Sequence, residues 1–145
     1  MITGLHHFAL TVADMERSKS FYAGLGLDVV ADREVSGGYV EEITGIKGAE
    51  VRVVLLSGFG HALELIEYRR PRGERRARPF QDAGSAHVCV LTENLDVAVE
   101  QLHERGVQFR SSEPVSVASG PNRGRRAIYA EDPDGNAVEL VESAS

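Results

Sequence analysis

Two histidines and two glutamates stand at matching places in the two halves of the chain, His7 with Glu64 and His87 with Glu139. Each lies in a stretch of alternating apolar residues, where successive side chains point to opposite faces of a strand. Phe8, Leu10 and Val12 make one apolar face suited to packing against a helix, and His7 falls on the other with Leu5, Ala9 and Thr11. Val88 and Val90 oppose His87 and Cys89 in the same way, while Leu63/Leu65 and Val138/Leu140 oppose Glu64 and Glu139. Imidazole nitrogens with carboxylate oxygens suit one divalent metal of the Zn, Ni, Co, Mn or Fe type. If two such modules pair about a pseudo-twofold axis, the four side chains converge on that ion. The small neighbours Ala9 and Cys89 leave space for a ligand. A lone strand histidine or glutamate is more often structural or solvated; the recurrence in register is what asks for another explanation.

The elements that must carry these residues repeat in one order. The strand pattern Leu5-His6-His7-Phe8-Ala9-Leu10-Thr11-Val12 gives way at Asp14 to helical spacing through Met15, Ser18, Phe21, Tyr22 and Leu25. Ala86-His87-Val88-Cys89-Val90-Leu91-Thr92 does the same, with Asn94 before Leu95, Ala98, Val99 and Leu102. Asp14 and Asn94 are suited to capping, since a short side-chain oxygen accepts a free N–H of the first turn. Gly26 and Gly106 follow as left-handed terminators. Two strands are then expected at Val29 to Val35 and Val51 to Leu56. In the second half they fall at Val107 to Arg110, extended through Val115-Ser116-Val117, and Arg126 to Glu131. Asp132-Pro133-Asp134-Gly135 reads as a tight turn. The closing strands, Gly60-His61-Ala62-Leu63-Glu64-Leu65-Ile66-Glu67 and Gly135-Asn136-Ala137-Val138-Glu139-Leu140-Val141-Glu142, match best. Each half is therefore β-α-β-β-β, an α+β domain of tandem βαβββ modules: residues 1–70, a linker at 71–85, and residues 86–145, within one domain over 1–145.

Composition narrows the function. A net charge of −6 argues against nucleic acid as a partner, because phosphate neutralisation needs a positive face. No apolar run approaches the roughly 20 residues of a membrane span, and the start has no leader pattern. One cysteine excludes an internal disulfide framework and fits a reducing cytoplasm. The expected partner is a small molecule.

His7-Phe8-Ala9-Leu10-Thr11-Val12 with Asp14 through Phe21-Tyr22, Ala62-Leu63-Glu64-Leu65, Ala86-His87-Val88 and Glu131-Asp132-Pro133-Asp134-Gly135-Asn136-Ala137-Val138-Glu139-Leu140 resemble the vicinal oxygen chelate superfamily, the glyoxalase I, bleomycin-resistance and extradiol-dioxygenase group. The resemblance spans essentially the whole chain. It implies an open, cup-shaped mixed sheet around the metal, and a homodimer whose modules often complete one another's sites. The glyoxalase I pattern of metal ligands carries over to His7, Glu64, His87 and Glu139 with none missing. His6, on the opposite face, is a second choice to His7. Glu67 and Glu142, on the leucine face near strand ends, read as solvated.

A metal with open positions can hold vicinal substrate oxygens and stabilise an enolate or enediolate while a carboxylate moves a proton between neighbouring carbons. By resemblance Glu139 or Glu64 is that base, which makes isomerase or lyase chemistry of the glyoxalase type the leading reading. An epimerase of the methylmalonyl-CoA type expects a second carboxylate on the strand before Glu64, where alignment puts Arg52. A ring-cleaving dioxygenase uses two histidines and one glutamate, so Glu64 would crowd it. Antibiotic-binding resistance relatives lose metal ligands, and this chain loses none. The loop Ser119-Gly120-Pro121-Asn122-Arg123-Gly124-Arg125-Arg126 offers Arg123, Arg125 and Arg126 as an anion-binding lid over substrate. The basic run from Arg69 to Arg78 reads as solvated linker, with a carboxylate or phosphate clamp as the alternative. Cys89 reads as a small cleft-lining hydrophobe, His61 and His103 as surface residues. Tyr39 and Tyr129 are candidates for the pocket wall that no pattern assigns.

Overall fold

The computed structural model describes residues 1–76 and 78–143, so Ala77 of the expected linker and Ala144 and Ser145 of the second module lie outside the described residues. The chain forms two compact units, Met1–Arg76 and Ala77–Ser145. The first contains β1 (Phe8–Thr11), α1 (Met15–Ala23), β2 (Asp28–Ser36), α2 (Gly38–Thr44), β3 (Glu50–Gly58) and β4 (His61–Arg70). The second contains β5 (His87–Thr92), α3 (Leu95–Glu104), β6 (Val115–Ser116), β7 (Arg126–Glu131) and β8 (Ala137–Glu142). Each unit holds a four-stranded mixed sheet, ordered β1-β4-β3-β2 and β5-β8-β7-β6. The first strand runs parallel to the last, and the other pairings are antiparallel. This is the α+β repeat that the sequence predicts. No helix among the described residues is long and apolar enough to cross a membrane.

Local chemistry sets both helix starts. The Asp14 carboxylate accepts from Arg17 N at 3.1 Å, and the Asn94 side-chain oxygen accepts from Val97 N at 3.1 Å. Past the helices, Gly26 and Gly106 take φ of 96° and 79°, a region that costs residues with a Cβ. In the first unit α1 lays Met15, Phe21 and Tyr22 over Val54, Leu56, Leu63 and Leu65, all buried. In the second, Leu95 and Leu102 of α3 are buried, as are Ile128, Val138 and Leu140 of the sheet.

Two expectations are corrected, and one helix is unforeseen. Phe8 is 64% exposed rather than packed under the helix, because α1 lies over β3 and β4 and leaves the start of the edge strand β1 uncovered. Val107 to Arg110 forms only an isolated bridge, Phe109 to Ala130; the strand paired with β7 is Val115–Ser116. Helix α2 had no sequence signal, being short and introduced by two glycines. It is held by tertiary packing: Val40 joins Ala49 and Val51 in a small cluster against Val35, Ile46, Val53, Ile66 and Tyr68.

Candidate metal centre

Strand register puts each histidine beside its glutamate. In the first unit Ala9 pairs with Glu64, which places His7, one pleat earlier on the same face, next to that carboxylate. His7 Nε2 lies 3.4 Å from Glu64 Oε1. In the second unit Cys89 pairs with Glu139, and His87 Nε2 lies 3.3 Å from Glu139 Oε2. The glutamate side chains are 22% and 17% exposed, so both are reachable yet mostly sheltered.

These separations are long for a hydrogen bond and right for two ligands of one ion. Metal–nitrogen and metal–oxygen bonds of about 2.1 Å, meeting at roughly 90–110°, hold their donors about 3.0–3.4 Å apart. Each His–Glu pair, taken within its own unit, therefore has the donor types and spacing that a divalent metal accepts. Among the described residues, no three His, Cys, Asp or Glu side chains gather at one point.

The surroundings of the two pairs differ. In the first unit His6 Nδ1 lies 2.7 Å from His7 Nδ1, leaving Nε2 of His7 toward Glu64. One of the two Nδ1 atoms must carry the proton, so His6 fixes the orientation of the His7 ring. The cross-strand neighbours of Glu64 are Ala9 and Leu55, neither able to hydrogen-bond through its side chain. In the second unit the corresponding neighbours of Glu139 are Cys89 and Tyr129. Burial and the Glu139 carboxylate push the Cys89 thiol up to about 11, so it stays protonated at neutral pH. The same two causes raise the Tyr129 phenol, whose residue stands directly across the strand pair from Glu139. The Tyr129 ring also meets His87 edge-on at 5.6 Å and Phe80 at 5.7 Å. Phe80, Gln81, Ser85, Ala86, His87, Tyr129 and Ala137 line a cleft of about 450 Å³ beside the histidine.

The arginines go elsewhere. Arg126 lies on the helix-facing side of its sheet, with both Nη atoms 2.9 Å from Asp96 and Nη2 2.9 Å from Glu142. The guanidinium thus ties α3 to β7 and β8, on the face opposite His87 and Glu139. Arg123 and Arg125 line a shallow cleft with Glu93, Pro121 and Glu142, at the end of β5 and β8 away from His87. Arg52 is the counterpart in the first unit: it holds Asp32 at 2.8 and 2.6 Å and Glu16 at 2.7 Å. Paired to Arg52, and with Lys19 adding, Asp32 is held down at about 2. Arg52 therefore faces α1, and β3 turns Val51, Val53 and Leu55 toward the ligand face, with no carboxylate beside Glu64. Glu67 and Glu142 are not solvated as expected. Glu67 is 8% exposed opposite Arg52, with Arg69 Nε at 3.4 Å, and Glu142 is bound by Arg126.

Tyr129, a candidate for the pocket wall, does line the cleft with His87, whereas sequence reasoning missed Phe80 and the His6–His7 contact. The place of Tyr129 opposite Glu139 follows from a five-residue connection between β7 and β8, whose length is visible only once Asn136 is known to stay in the turn.

The family model of the Glyoxalase/Bleomycin resistance protein/Dioxygenase superfamily matches residues 4–140. The chain belongs to this superfamily. It is 32% identical to the Bacillus subtilis (strain 168) protein YwkD over 98% of both chains. It is 27% identical to the 2-epi-5-epi-valiolone epimerase of Actinomyces sp, covering 94% of this chain and 78% of that one. Among solved structures, a glyoxalase family protein from Bacillus cereus superposes with a TM-score of 0.87 at 20% identity, covering 100% of this chain and 97% of the other.

Proposed function

We propose that the superfamily member described here is an enzyme that binds one divalent metal through His7, Glu64, His87 and Glu139 and moves a proton between adjacent carbons of a small substrate carrying vicinal oxygens. The observation that carries this reading is the repeated His–Glu edge, 3.4 Å in one unit and 3.3 Å in the other, at the spacing of two ligands on one ion. A bound metal supplies Lewis acidity toward the substrate oxygens. The chain supplies the rest: two imidazoles to hold the ion, two carboxylates to complete it, and one of those carboxylates to carry the proton. Pairing of the half-sites, within one chain or across a homodimer, completes the set. The single cysteine and acidic charge support action as a cytoplasmic protein without nucleic-acid partners.

Glyoxalase-type isomerase or lyase chemistry is the first form of this reading. Epimerisation is the second, favoured by the similarity to an epimerase over 94% of the chain. In that form Glu64 and Glu139 serve opposite faces of the substrate carbon. The test is a screen of metal-loaded protein in deuterated water against 2-oxo-thiohemiacetals, acyl-CoA thioesters and catechols. Deuterium gained at the carbon beside the carbonyl supports proton transfer. Ring opening of a catechol with oxygen uptake overturns it.

A further inference from the structure

On the face that carries Glu64, β2 and β3 of the first sheet are apolar but for one residue. β3 contributes Val51, Val53 and Leu55, and β2 contributes Ala31, Arg33 and Val35. A bulge puts Arg33 there. Val29 pairs with Leu56 but Ala31 pairs with Leu55, so Val30 is an extra residue in β2. Without it, every later side chain of β2 would change face, and Arg33 would stand with Arg52 under α1. With it, Asp32 meets Arg52, and Arg33 stands across from Val53 on the side of Glu64. Arg33 is also uncommitted. Of the four arginines in the strands of this unit, Arg52 holds Asp32 and Glu16, Arg69 lies by Glu67 and Glu34, and Arg70 by Glu50. Arg33, exposed on β2, has no carboxylate partner among the described residues.

Arg33 and Glu64 lie two strands and two residues apart on one face, roughly 12 Å between Cα atoms. The floor between them is Val53, Leu55 and Ile66, none able to hydrogen-bond through its side chain. We propose that Arg33 is a substrate-binding residue, which receives a carboxylate of the substrate while the substrate's vicinal oxygens reach the metal beside Glu64. This names the substrate class, a small acid, and rests on the metal reading above. A single guanidinium offers a planar fork that matches one carboxylate with two parallel hydrogen bonds, whereas phosphate recognition draws on clusters of arginines. The chain's net charge of −6 disfavours added negative charge on a ligand, so a preference for the more acidic of two ligands needs a local cation.

The experiment is calorimetric titration of the Zn²⁺-loaded protein with 2-oxoglutarate and with 2-oxopentanoate. Both present the same vicinal oxygens, and 2-oxopentanoate carries a methyl where 2-oxoglutarate carries its second carboxylate. The wild type is expected to bind 2-oxoglutarate about tenfold more tightly. Arg33→Gln, a change at an exposed residue, should lose that preference while keeping its Zn²⁺ content and its affinity for 2-oxopentanoate. Arg17→Gln removes the same charge from α1, on the other side of the sheet, and should keep the preference. Equal binding of both acids by the wild type, or a preference that survives in Arg33→Gln, overturns the role of Arg33 and leaves the metal reading standing. If neither acid binds in a Zn²⁺-dependent manner, the metal reading itself falls and this inference with it.

Discussion

Tyr129 and Glu139 stand directly opposite one another on the antiparallel strands β7 and β8, and the place of Tyr129 beside Glu64 is taken by Leu55. The repeat therefore keeps the His–Glu pair in both units and varies the residue across from the glutamate.

Removing a ligand should remove the metal, and removing a bystander should not. Glu64→Ala and His87→Ala are each expected to lower affinity by more than the roughly 10–100-fold of a supporting residue. His61→Ala, an exposed residue at the start of β4, should retain wild-type metal content. Elemental analysis of the three purified variants checks this, and equal occupancy in all three would remove the ligand assignment.

Cys89 should behave as an unreactive thiol. Its value of about 11 keeps the nucleophilic thiolate scarce at neutral pH. Labelling by a disulfide reagent is expected to be slow at pH 7.5 and to accelerate steadily above pH 9. Rapid stoichiometric labelling at pH 7.5 would contradict the protonated thiol beside Glu139.

The Arg52 clamp should leave a mark on acid stability. Asp32 is depressed from 3.8 to about 2, so its contribution is fully present above the unfolded value and is lost as pH falls from 3.8 toward 2. Asp32→Asn should lower the urea midpoint at pH 7 and flatten the loss of stability in that acid window. Metal binding at pH 7 should be unchanged, because Asp32 and Arg52 face α1 rather than His7. An unaltered acid profile in the variant would contradict the clamp.

Asp132 organises the turn that delivers β8 in register. Its Oδ1 accepts from Asp134 N at 2.9 Å and Asn136 N at 2.8 Å, its Oδ2 accepts from Asn136 Nδ2 at 2.9 Å, and the residue is 5% exposed. Asp132→Ala leaves these donors without their partner and should cost about 2 kcal/mol or more in chemical denaturation. A loss below about 0.5 kcal/mol, the range of ordinary surface changes, would deny the turn its structural role.

The repeat, both helix caps and the face assignments of His7, Glu64, His87 and Glu139 were legible because period-two alternation and capping chemistry are local. Helix α2 was not, since its stability comes from Val35, Val51, Ile66 and Tyr68 rather than from its own seven residues. Arg126 was misjudged for a related reason. An arginine in a basic, glycine-rich stretch looks available to an anion, and only strand register reveals Asp96 and Glu142 within its reach. Glu67 was taken as solvated because strand ends usually are, yet its face lies under α1, opposite Arg52. Tyr129 and Phe80 stayed unassigned because neither shows itself until β7 is aligned against β8.

The central claim is a single divalent metal held by the two His–Glu edges, and its most direct measurement is the metal stoichiometry of the purified chain. Elemental analysis after loading with Zn²⁺ or Ni²⁺ and desalting should give one ion per set of His7, Glu64, His87 and Glu139, falling sharply in His87→Ala. Wild-type protein that retains no metal, or a His87→Ala variant that retains as much as the wild type, would contradict it.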